Sequence, residues 1–169
     1  MLFRSIVGSL SSNFYGEPRM TKDADFVVQL GQTPLSSLLD KLGPSYVIDR
    51  QMGFETVTGT TRYHIRHKES EFLIELFELT DDAHNQQRFA RRRQTTYSGA
   101  PAYVATAEDV VIQKLRWYLR GKRPKDIQDA QNVMETQAGL LDLPYMRQWC
   151  DRHGTRDILE SLISPPEPT

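Results

Sequence analysis

One cysteine, Cys150, stands among 169 residues. A single thiol excludes an internal disulfide and any multi-cysteine metal site. No residue near it suggests nucleophilic catalysis, so a small buried side chain is expected there. No apolar run approaches the roughly twenty residues needed to span a bilayer. The start of the chain lacks the pattern of a signal peptide, and a soluble, cytoplasmic protein is expected, with no membrane partner. The formal net charge is −1, so no global basic field draws nucleic acid, and any polyanion site must be local. The four histidines, His64, His67, His84 and His153, have no H-x-x-x-H spacing, and His64 and His67 read as surface residues. Neither a G-x-x-x-x-G-K-[ST] loop nor a G-x-G-x-x-G fingerprint occurs, which argues against a Rossmann enzyme.

What is there begins with residues 6–28, IVGSLSSNFYGEPRMTKDADFVV. A short apolar run ends at Gly8–Ser9. A small polar helix is expected next, then a turn at Gly16–Glu17–Pro18. Asp23 and Asp25 then lead into the apolar Phe26–Val28, so the stretch reads as strand, helix, loop, strand. Residues i and i+2 of a strand project to one face, roughly 6.5 Å apart. Asp23 and Asp25 therefore aim two carboxylates at one volume, where they repel unless a cation joins them. Mg²⁺ suits such a pair when substrate phosphates complete its shell. Gly8, without a Cβ, admits a phosphate close to the backbone. Ser9 is expected to cap the following helix, whose free N–H groups favour an anion.

Residues 72–79, FLIELFEL, are apolar at nearly every position, as in a central strand covered on both faces. Glu75 sits mid-strand, where an uncompensated carboxylate is costly, so it wants a cation. Glu78 points the other way. Residues 34–42 carry leucines at helical spacing behind Pro34, and residues 54–57 and 61–66 read as a hairpin near a sheet edge. A helix capped by Thr80 or Asp81 is expected to run to about Arg93. Its arginines, Arg88, Arg91, Arg92 and Arg93, form either a solvated face or a local phosphate or RNA contact. From Thr106 the pattern is helical, with a first helix that the stretch from Gly121 to Pro124 breaks and three more expected over residues 125–134, 143–152 and 155–163. Trp117, Tyr118 and Trp149 read as core.

These residues carry a resemblance. Gly8–Ser9, then Asp23-x-Asp25, then an acid on a later strand resembles the nucleotidyltransferase superfamily that includes DNA polymerase beta. The wording Gly16-Glu17-Pro18-Arg19-x-Thr21-x-Asp23-x-Asp25 is similar to the AbiEii-like nucleotidyltransferases of abortive-infection and toxin–antitoxin systems. In residues 108–133 a Lys on one helix and a Lys/Arg-Asp-x-x-Asp start on the next are also similar to that group, at Lys114, Arg123, Lys125, Asp126 and Asp129. The resemblance implies an α/β (α+β) fold, a mixed twisted sheet flanked by helices. A catalytic core over residues 1–105 would carry a helical section, 106–163, packed on it, and a flexible tail, 164–169. It implies Glu75 as the third metal-site acid, where the family usually has Asp.

The implied activity is transfer of a nucleoside monophosphate from an NTP to an acceptor hydroxyl on protein or RNA. Asp23, Asp25 and Glu75 would bind two Mg²⁺ or Mn²⁺ ions some 3.5–4 Å apart. Gly8, Ser9, Arg19, Thr21, Lys114 and Asp126 would meet the nucleotide. The implied partners are the NTP and a cognate toxin or antitoxin protein, or tRNA, as acceptor. The family usually has a helix before the first strand, and a partner or a second copy in a homodimer is expected to cover the sheet there. The rival reading is a nucleotidyltransferase fold that acts by contact alone, as an antitoxin or regulatory module.

Overall fold

A computed structural model describes residues 3–32, 34–55 and 59–164. The residues divide into two compact units, 1–10 with 20–105, and 11–19 with 106–169. The tail expected at 164–169 lies outside the described residues, save Ser164, as does Val57 of the expected hairpin.

The first unit is built on one mixed sheet. Its strands are β1 (Phe3–Val7), β2 (Asp23–Gln29), β3 (Tyr46–Glu55), β4 (Thr60–His67), β5 (Leu73–Glu78), β6 (Arg93–Tyr97) and β7 (Ala100–Val104). Their spatial order is β3-β4-β5-β2-β1-β7-β6. β2 pairs antiparallel with β1 and parallel with β5, and β7 pairs parallel with β1. Alternation along β2 sorts its side chains. Asp25 and Val27 take one face, Phe26 and Val28 the other.

A helix lies on each face of this sheet. On the Val27 face, Val7, Val27 and Phe89 form a buried cluster with Phe77 and Leu79. Phe89 comes from α3 (Ala83–Arg91), whose first turn is capped by Asp82, its carboxylate accepting from the Asn85 N–H at 3.0 Å. On the other face, Val28, Ile65 and Leu76 pack with Leu38 and Leu42 of α2 (Ser36–Leu42). Beneath this seven-residue helix a cavity of about 300 Å³ remains, lined by aliphatic and aromatic side chains and Arg4.

Three expectations need correction. β5 is covered only in part: Leu76 alone of its residues is buried, because α2 and α3 are short, and Glu75, on the same face as Phe77, is left partly exposed. The first hairpin arm, expected from residue 54, belongs to a longer strand, β3, which begins at Tyr46 and has a register shift between Asp49 and Gly53. The arginines of α3 are not one solvated face. Arg88 is buried, and the Arg92 guanidinium lies over the Phe89 ring at 4.2 Å and donates to the Phe89 carbonyl.

The second unit holds the residues of α1 (Gly8–Tyr15) from Ser11 on, with α4 (Ala107–Gly121), α5 (Pro124–Thr136), α6 (Leu143–His153) and α7 (Arg156–Ile163). Thr106 caps α4, accepting from the Asp109 N–H, and Pro124 opens α5 where its missing N–H costs nothing. Gly154, at φ +69°, closes α6 in the left-handed conformation. Val111, Ile112, Leu115, Val133, Met146 and Leu159 are buried at its centre. Trp117 and Trp149 are buried with them, and burial pushes the Cys150 thiol up, which leaves it a poor nucleophile.

Ile65 is fully buried between the sheet and its neighbours. Ile65→Ala is expected to cost about 2–5 kcal/mol in urea unfolding. A loss under about 1 kcal/mol would contradict the packing described.

Candidate metal and nucleotide site

The parallel register sets Asp25 of β2 beside Glu75 of β5. Asp23, two residues earlier on β2, shares the face. The three carboxylates each bring an oxygen within 4.8 Å of the others, and all three residues are partly exposed. Glu78 pairs in register with Val28 and takes the opposite face from Glu75. The cluster therefore forms with Glu75.

The chain around these acids is shaped to hold them. Gly8 follows β1 at once, with φ +62°, and a Cβ placed on it would sit 1.8 Å from Asp25 Oδ2. The carboxylate thus occupies the space a side chain would need. Ser9 was expected to precede the helix as its cap. Because β1 runs into α1 without a loop, the helix starts at Gly8 and Ser9 lies inside the first turn. Thr21, expected to meet the nucleotide, donates its hydroxyl to Asp23 Oδ1.

Two side chains that sequence reading left aside meet Glu75. His64 Nε2 lies 2.9 Å from Oε1, and Arg62 Nη1 lies 3.0 Å from the same oxygen. An ionised carboxylate only accepts, so Nε2 carries the proton in that bond. The reading of His64 as a surface residue is corrected: its side chain is 21% exposed and engaged. The signal available was the alternation of Arg62, His64 and Arg66 on one strand face. What it lacked was the strand opposite.

The other expected nucleotide residues lie in the second unit and are bound to one another. Lys114, 3% exposed, donates to Asp129 at 2.7 Å and to Asp126 at 3.3 Å. Arg19 forks both oxygens of Asp129, at 2.9 and 3.0 Å, and Arg123 Nε meets Asp126 at 2.7 Å. Asn13 fixes the Arg19 backbone through its carbonyl and N–H. Burial pushes the Asp129 carboxyl up, but the Arg19 bond and the Lys114 charge outweigh it and hold the group below the usual range.

Oxygen donors alone, close together and open to solvent, fit a hard divalent cation and not a soft one. Three carboxylates this near repel, and a cation among them removes that cost.

No protein-family model matches the chain, and no curated protein matches it in sequence. Solved structures do match in fold. The solution structure of the antibiotic-resistance factor ANT(2'')-Ia aligns with TM-score 0.61 at 11% identity, over 95% of this chain and 86% of that one. A crystal structure of ANT(2'')-Ia in complex with adenylyl-2''-tobramycin aligns with TM-score 0.56 at 12% identity, over 92% and 89%. An antigenic nucleotidyltransferase-like protein from Paracoccidioides brasiliensis aligns with TM-score 0.54 at 15% identity, over 95% and 84%.

Gly8→Ala forces a positive φ on a residue with a Cβ and displaces Asp25. It is expected to lower the melting temperature and to abolish Mn²⁺ binding, read by calorimetric titration; unchanged binding would contradict the close approach. Lys114→Met leaves Asp126 and Asp129 short of a buried cation, with an expected loss of about 3–5 kcal/mol in urea unfolding at pH 7. Because the folded Asp129 carboxyl is depressed, its contribution is full above the unfolded value, near 4, and fades as pH falls below it. Asp129→Asn should remove that part of the acid dependence. The mixed sheet flanked by helices is the nucleotidyltransferase fold.

Proposed function

We propose that the protein transfers a nucleoside monophosphate from an NTP to an acceptor hydroxyl. The observation that carries this reading is the convergence of Asp23, Asp25 and Glu75 beside Gly8. Asp23, Asp25 and Glu75 would hold Mg²⁺ or Mn²⁺, which when bound neutralises the triphosphate and lowers the pKa of the acceptor hydroxyl.

The chain's own residues position the reactants. Backbone N–H groups at Gly8 and Ser9 receive phosphate oxygens, the glycine allowing close approach. Thr21 steadies the Asp23 carboxylate by its hydrogen bond. The acceptor oxygen bonds to the α-phosphorus as the bond to pyrophosphate breaks, and the hydroxyl proton leaves to water. Catalysis of this kind is mostly positioning and charge stabilisation, so no protein nucleophile is required. Arg19, Lys114 and Asp126 take a structural part here, as members of the second unit's ion network.

The fold likeness supports the reading. The ANT(2'')-Ia crystal structure holds an adenylylated tobramycin, a nucleotide carried on a small acceptor. For this chain we read the acceptor as a hydroxyl on protein or RNA. The setting is a toxin–antitoxin or phage-defence pair of the AbiEii-like type, on the strength of the sequence resemblance.

A second reading draws on the Arg62 and His64 contacts with Glu75. Side chains that already satisfy one acid suit a nucleotidyltransferase fold that works by contact, as an antitoxin or regulatory module. Incubation with α-labelled NTPs and Mg²⁺ or Mn²⁺ separates the two. Label is expected on a co-purified protein or RNA with the native chain and none with Asp25→Asn. Equal labelling by that variant would sink the enzymatic reading, and absence of metal-dependent NTP binding would favour the second.

A further inference from the structure

Glu75 stands where the resembling family usually has aspartate. Glutamate has one more rotatable bond, and fixing it costs conformational entropy. Something must hold that longer arm if its carboxylate is to serve a fixed point.

β4 supplies two holders. His64 lies directly opposite Glu75 in the antiparallel register, and Arg62 lies opposite Phe77, two residues along on the same face. Direct and diagonal neighbours of this kind are within side-chain reach. Both donors go to one atom, Oε1, at 2.9 and 3.0 Å. We propose that Arg62 and His64 are positioning residues that clamp one oxygen of Glu75 and so present its other oxygen to the cation. This rests on the reading of the acid cluster as a metal site. A histidine or arginine bonded to a ligating carboxylate fixes its orientation without touching the ion. The sign of the Arg62 effect separates clamp from mere charge. As a bare charge, Arg62 repels a cation, and its removal should tighten binding. As a clamp, its removal should weaken it.

The test is Mn²⁺ binding without nucleotide, at pH 8, read by the electron paramagnetic resonance signal of free Mn²⁺. Melting temperatures confirm that each variant is folded. The native chain should bind, and Asp25→Asn should not. His64→Ala should weaken binding about tenfold or more. His64→Gln, whose amide N–H can donate to the same oxygen, should restore most of the affinity. Arg62→Ala should also weaken binding. If His64→Ala does not fold, His64→Gln against His64→Leu makes the same comparison.

Native affinity in His64→Ala, with binding still lost in Asp25→Asn, overturns the clamp and leaves the metal site standing. Tighter binding in Arg62→Ala removes Arg62 from the clamp. Undiminished binding in Asp25→Asn overturns the metal site, and the clamp with it.

Discussion

The parallel pairing of β2 with β5 is the constraint on which the site depends. It sets Asp25 against Glu75, and the two-residue repeat of a strand brings Asp23 to the same side. A slip of one residue would send one partner's carboxylates to the face filled by Phe26, Val28 and Leu76. Burial on that face therefore fixes the register, and the register assembles the acids. Gly8 adds a second lock. Its missing Cβ is the space that Asp25 fills, so the turn from β1 into α1 and the position of the carboxylate are one feature.

The two units treat charge in contrasting ways. In the first, three carboxylates gather where solvent reaches them. In the second, Asp126 and Asp129 are buried and meet Lys114, Arg19 and Arg123 inside the unit. Carboxylates so matched are costly to break apart, and their worth is chiefly in joining α4, α5 and the segment ending at Arg19. The acids of the first unit are the ones placed where something from outside can reach them.

Much of this was legible along the chain because it is local. Asp23 and Asp25 are two residues apart, Gly8 and Ser9 end the first apolar run, and Glu75 interrupts an apolar strand. The helices from Thr106 onward announced themselves through caps, Pro124 and Gly154. What escaped notice depends on pairing between distant segments. His64 meets Glu75 only because β4 lies beside β5, and a lone histidine on a polar strand face gives no hint of that. Arg19 and Asp129 are 110 residues apart in sequence, so their fork is a product of packing. Lys114 was recognisable as unusual on an apolar helix, but its partners lie on the next helix and only packing brings all of them together.

The central claim is that Asp23, Asp25 and Glu75 together form a metal site. Anomalous diffraction from a crystal soaked with Mn²⁺ and a non-hydrolysable NTP tests it most directly. The account predicts an anomalous peak bonded to an oxygen of each of the three acids, at roughly 2.0–2.3 Å, with the triphosphate against the Gly8–Ser9 turn. Manganese bound elsewhere, or a peak bonded to the two aspartates with Glu75 turned away, would contradict it.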